Sequence, residues 1–291
     1  MKIGFIGAGK VGKSFGKYLE MKGIPVIGYF SKSIESAQEA VAYVGGEIFP
    51  TIEELVKVAT VIFITTPDDI ISDVANEIGN LNETQESKIF VHMSGAHSSK
   101  ILIKIQQRHR KSYLYSLHPL QAFASVTTAT EDLEKTIFSL EGDEEKLMEL
   151  TELLDTCGNE YFILKGEDKA LYHSAACVVS NYLVTLMDLG LSLFEAAGIQ
   201  RQKGFEALFP LIQGSLNNIK NLGTAEALTG PIARGDVNTI KNHLKGMEEK
   251  APQLIELYRI LGEETTRLAE IKKLKKQENI DALNQIWKEG I

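Results

Sequence analysis

Cysteine is scarce in this sequence: Cys157 and Cys177 are the only two in 291 residues, far apart and outside any CxxC or Cys/His ligand spacing. That argues against a disulfide framework and a structural zinc, so no metal is expected and a reducing cytoplasm is the default compartment. An excess of positive charge is missing too. Lys and Arg number 31 against 39 Asp and Glu, a net charge of −8, which speaks for solubility and against nonspecific nucleic-acid binding. The opening MKIGFIGAGKVG interrupts its apolar residues with glycine and lacks the hydrophobic stretch of a signal peptide. The longest apolar run, residues 170–194, has the length of a membrane span. His173, Asn181 and Asp188 within it would each be costly in lipid. The run therefore reads as the central helix of a soluble helical domain. Internal repeats and low-complexity tracts are absent as well.

What is present reads as globular. Hydrophobic residues make up 44% of the chain, enough for a real core, and the length allows two domains. Two textures follow one another. The runs KIGFIG (2–7), PVIGYF (25–30), VIFITT (61–66), KIFVHM (88–93) and SYLYSLH (112–118) are β-rich and alternate with helical stretches; TIFSLEG (136–142) and EYFIL (160–164) extend the pattern. Strands alternating with helices predict a parallel sheet covered on both faces. From residue 165 the periodicity is helical: one helix over 167–197 ending at Gly198, then others near 201–221, 237–248, 252–275 and 279–289. The expected fold is α/β, a doubly wound Rossmann sheet followed by an all-helical domain. The dinucleotide-binding domain is expected at 1–164 and a helical substrate and dimerisation domain at 165–291.

The strongest single signal is GFIGAGKVGKSFG. Gly7, Gly9 and Gly12 form GxGxxG between a predicted strand and a predicted helix. That context turns a weak motif into a dinucleotide fingerprint. The first glycine allows the tight turn, the second lets a pyrophosphate approach the backbone, and the third lets helix and strand pack closely. Backbone N–H groups at the helix start, at Lys10 and Val11, are available to the phosphates. NAD-binding versions place an acid at the end of the second strand to hold the ribose 2′-OH. Here that strand ends in Ser31-Lys32-Ser33, which suits the 2′-phosphate of NADP; the alternative is that the serines cap the following helix. In such sheets ligands bind at the carboxyl ends of the strands. Those ends read Thr65-Thr66-Pro67-Asp68, Ser94-Gly95-Ala96 and His118-Pro119-Leu120-Gln121.

Taken together, the N-terminal GxGxxG, SKS after the second strand, TPDD, SGAHSS, HPLQAF and the later ALTGPIARGD (227–236) resemble a bacterial Rossmann-like reductase family. Its C-terminal half is the domain of unknown function DUF2520, within the 6-phosphogluconate dehydrogenase-like superfamily. The resemblance spans the chain to about residue 250. It implies a helical, often dimerising domain over the nicotinamide, and for some members reduction of ketopantoate. HPLQ also resembles the HP turn of prephenate dehydrogenases, where the histidine contacts substrate. The catalytic lysine of hydroxyisobutyrate-type dehydrogenases lies four residues before an asparagine; Lys169 lies twelve before Asn181, so that pattern is not met.

The stretch LYHSAACVVSNYL (171–183) places an imidazole, two hydroxyls and an amide on an otherwise apolar helix. With Lys169 at zero, His173 points to about 40°, Ser180 to about 20°, Cys177 to about 80° and Asn181 to about 120°. This polar stripe is expected to face a bound small molecule, because polar groups buried without partners are costly. His173 and His118 are the candidate proton donors for reduction of a carbonyl, and Asn181 a candidate for holding the oxyanion. Gln121 is a candidate substrate ligand, Arg234 a candidate for a substrate carboxylate, and Asp236 a helix cap. Cys177 reads as a small packing residue. The resulting expectation is an NADPH-dependent reductase of a small oxo acid, ketopantoate first, acting as a homodimer. An imine reductase, a hydroxy-acid dehydrogenase and an NADP-binding sensor without turnover are the alternatives.

Overall fold

In the computed structural model, which describes residues 1–83 and 86–289, the chain divides into two compact units, Met1–Asn181 and Tyr182–Ile291. Gly290 and Ile291, the last residues of the expected helical domain, lie outside the described residues.

The first unit is built on one sheet of eight strands: β1 Ile3–Ile6, β2 Val26–Phe30, β3 Glu47–Ile48, β4 Val61–Ile64, β5 Lys88–His92, β6 Ser112–Pro119, β7 Phe138–Gly142 and β8 Tyr161–Ile163. Their order is β3-β2-β1-β4-β5-β6-β7-β8. Strands β1 to β6 pair in parallel, β7 runs antiparallel to β6, and β8 is parallel to β7. The order 3-2-1-4-5-6 is that of a dinucleotide-binding sheet, and its direction reverses between β1 and β4. All seven predicted strands are present. The sequence reading did not include β3, because two residues carry no periodicity, and it did not foresee the antiparallel β7.

Near-continuous apolar runs in β1, β4 and β5 leave all their residues buried, as expected for strands covered on both faces. Phe5, Phe63 and Val91 contribute to one core, Ile6, Ile62, Ile64 and Phe90 to the other. The first core is organised around stacked rings, with Phe5 5.0 Å from Tyr29 and 5.3 Å from Phe63. Each such side chain contributes roughly 1.5–3 kcal/mol by leaving water.

The helix Lys169–Ala196 begins in the first unit and continues into the second. Gly198, at φ +87°, follows its end and serves as the stop read from the sequence. The second unit is helical throughout, with Arg201–Leu222, Val237–Lys250, Ile255–Lys272 and Gln277–Glu289 as its longer further elements. Its own core gathers Ile240, Leu244, Ala269, Leu283 and Trp287. The Trp287 indole donates to Thr266 Oγ1 at 2.9 Å, so even this buried N–H is satisfied.

Candidate active site

The glycine turn is built as its motif requires. Gly7 sits at φ +107°, and a Cβ there would meet the Thr65 backbone at 2.8 Å. Thr65 Oγ1 donates to Gly7 O at 2.8 Å and so braces the turn from β4. Gly9 differs: a Cβ there would enter open space. It is also the N-cap of the helix Lys10–Met21, which no side chain caps. The first N–H groups of that helix, from Lys10 and Val11 onward, are thus left for an anion. A cavity of about 240 Å³ adjoins the turn, lined by Gly7, Gly9, Ser31, Lys32, Thr65, Thr66 and Pro67 among others. Thr66 Oγ1 is buried there without a hydrogen-bond partner among the described residues. An open backbone cradle, an orphaned hydroxyl and a lysine at the end of β2 fit a dinucleotide phosphate.

Two predicted cofactor residues are engaged elsewhere in part. Ser33 caps the helix Ile34–Val44, accepting from Ser36 N at 3.1 Å and donating to Glu35 at 2.7 Å. Lys10 reaches the loop after β6, where Nζ donates to Ala124 O at 2.7 Å.

A second cavity, about 660 Å³, opens beside the ends of β6 and β8 and the start of the long helix. All its lining residues lie in the first unit. Leu120, Phe123, Phe162 and Val179 give it apolar walls; His118, Tyr172, His173, Ser180 and Asn181 give it polar groups. The helix stripe read from the sequence therefore does line a cavity. Gln121 also lines it, but its amide donates to Ala129 O at 2.8 Å and accepts from the Thr136 hydroxyl, which ties it to the loop. Arg234, exposed on the short helix Gly230–Arg234, belongs to the second unit.

The polar corner is closely assembled. The His118 and His173 rings stand edge to face, 6.1 Å apart, and both close over Gly95. A Cβ on Gly95 would lie 2.7 Å from His173 Nδ1 and 2.9 Å from His118 Nε2, so this position after β5 needs glycine. His118 Nδ1 pairs with the Tyr172 hydroxyl at 2.8 Å. His173 Nε2 lies 3.5 Å from Cys177 Sγ, while its Nδ1 is buried without a partner among the described residues.

Beneath this corner is a cation. Lys169 is 2% exposed, and its Nζ donates to Ser116 Oγ at 2.8 Å and to Ser94 O at 3.2 Å. Burial lowers its pKa to about 8, against the opposing pull of the Glu141 and Asp68 carboxylates. Glu141, itself buried, accepts from Ser99 N and Ser99 Oγ. Burial lowers the pKa of His118 to about 3, and the charges of Lys169 and His173 add to the effect.

Sequence reasoning had set Lys169 aside and did not consider Tyr172. The signal for both was their spacing: Lys169, Tyr172 and His173 stand at i, i+3 and i+4, and so share a helix face.

Comparison with known proteins agrees with this architecture. Residues 1–119 match a Rossmann-like domain and residues 136–265 the domain of unknown function DUF2520. No curated protein matches in sequence. Among solved structures, protein TM1727 from Thermotoga maritima is 27% identical, with a TM-score of 0.67 over 94% of this chain and 100% of that one. An imine reductase from Pseudomonas sp. is 16% identical, with a TM-score of 0.64 over 97% and 99%. A reductive aminase from Aspergillus terreus, in complex with NADPH and ethyl-5-oxohexanoate, is 12% identical, with a TM-score of 0.65 over 96% and 98%. In sequence the chain thus carries a match to a Rossmann-like domain followed by a match to a DUF2520 domain.

Proposed function

We propose that this protein is an NADPH-dependent oxidoreductase that reduces a small oxo compound in the cytoplasm. The observation that carries the reading is the pairing, within one unit, of an open glycine cradle at β1 with an apolar cavity whose polar corner stands at β5 and β6. The fold shared with the imine reductase and the NADPH-bound reductive aminase supports it.

The glycine turn and the first N–H groups of the helix Lys10–Met21 hold the pyrophosphate, with Thr65, Thr66 and Pro67 as the facing wall. Ser31 and Lys32 take the 2′-phosphate, since β2 ends without an acid. Ser94 and Gly95 lie along the nicotinamide end of the cleft. When bound, NADPH supplies a hydride. His118 and His173 stand together at this corner of the cavity as the candidate proton donors named by the sequence. Asn181 assists at the mouth of the cavity.

Ketopantoate is the first substrate to test, because the apolar walls accept a branched carbon body. Cyclic imines come second. We further propose a homodimer. Leu171, Val179 and Val184 of the long helix are 76%, 72% and 69% exposed, which one chain leaves in water and a second copy would cover.

The test is NADPH oxidation against a panel of 2-oxo acids and cyclic imines, with NADPH and NADH titrated by fluorescence. NADPH is expected to bind more tightly, and Lys32→Ala to weaken NADPH while leaving NADH nearly unchanged. Equal or tighter NADH binding would overturn the cofactor assignment. Tight NADPH binding without turnover of any compound would favour a sensor.

A further inference from the structure

We propose that Tyr172 delivers the proton that completes the reduction, its hydroxyl positioned by His118; this rests on the reductase reading above. The hydroxyl lies 2.8 Å from His118 Nδ1, and the side chain lines the large cavity. Its ring is held edge to face between His118, at 5.7 Å, and Phe162, at 5.8 Å. Lys169 Nζ stands 5.4 Å from the ring centroid. Hydroxyl, imidazole and buried ammonium thus form one cluster, and Tyr172 and His118 both line the cavity.

The two imidazoles are less suited to the task. His118 stays neutral near neutral pH, because burial and the neighbouring Lys169 and His173 oppose its charged form. A neutral imidazole is a poor acid, and its Nδ1 is already paired with Tyr172. His173 has one nitrogen beside Cys177 and the other buried against Gly95. That Nδ1 is enclosed and has no partner of its own among the described residues.

The step balances simply. The carbonyl carbon gains a hydride from bound NADPH, which becomes NADP⁺. The C=O π pair moves to oxygen, and that oxygen takes the hydroxyl proton of Tyr172. The O–H bonding pair stays on the phenolate. His118, with its proton on Nδ1, donates to the phenolate, and the Lys169 ammonium beside the ring offsets its charge until water returns the proton. Fixed donors aimed at such developing charge stabilise it.

The experiment uses the full-length protein and Tyr172→Phe. Phenylalanine keeps both ring contacts, so melting temperature and the NADPH dissociation constant are expected to stay at wild-type values. The kcat on the panel's best substrate should fall by about 10²–10⁴-fold. A loss of less than about tenfold, with wild type and variant both folded, would overturn the proposal while leaving the reductase reading intact. Wild-type protein that binds NADPH but turns over no substrate would overturn both. If Tyr172→Phe does not fold, Tyr172→Leu is read by the same criterion.

Discussion

Burial decides the behaviour of single residues in this cleft more than charge does. His118 has its pKa lowered to about 3 from the usual 6.5, first by burial. Between those values the unfolded chain binds a proton at this site and the folded chain does not. The stability His118 contributes is therefore complete above about pH 6.5 and is lost as the pH falls toward 3. Buried His92 is shifted the same way, to about 3, again chiefly by burial. Urea midpoints measured across this window should fall with pH. His118→Gln should flatten the slope, and a slope unchanged by the substitution would contradict the assignment. Gly95 is equally a matter of space. Gly95→Ala would push against both imidazoles at under 3 Å, so turnover should collapse while the glycine turn at β1 still takes NADPH. Kinetics beside a fluorescence titration separate the two effects, and loss of binding with retained kcat would contradict the geometry.

Among the elements, those with strong local signals were legible in the sequence. Seven strands, the glycine turn and the longer helices follow from periodicity, glycine and caps. Asp236 caps Val237–Lys250 as read, accepting from Thr239 N at 3.1 Å. Asp236→Ala should lower the denaturation midpoint by removing the cap; a stability unchanged within error would show the cap to be redundant. Other features depend on contacts distant in sequence. The direction of β7 is one. The long helix is another: its small apolar residues suggest a core, yet only 11% of its most apolar window is buried, although by length and composition it could cross a membrane. The sequence shows that the face is apolar but not what covers it. The site divides in the same way. His173 and Asn181 stand out in the sequence as polar groups on an apolar helix, and His118 by its place at a strand's carboxyl end; all three line the cavity. Lys169 was set aside because its spacing did not match a motif, whereas its importance lies in being buried beside Ser94, Ser116 and Glu141. Tyr172 looks like ordinary packing until His118, fifty-four residues earlier, is brought beside it.

At the scale of the whole molecule, the exposed apolar face makes the oligomeric state the informative measurement. Sedimentation at micromolar concentration should show a dimer. Val184→Glu, placed on a residue 69% exposed in the single chain, should convert it to a folded monomer; a wild-type monomer would count against the homodimer. One further consequence concerns how the gene could be cut. The boundary between the units, at Asn181 and Tyr182, falls inside Lys169–Ala196 rather than in a loop. Proteases nick exposed loop tips most readily, and here the junction is continuous helix. Any fragment ending there would carry a severed helix with its last four carbonyls unpaired, directly beside Cys177, Ser180 and Asn181. Limited proteolysis is thus a poor way to obtain either half, and exchanging the second unit for that of a relative would require joining two helices in register, turn for turn, along the wall of the cavity.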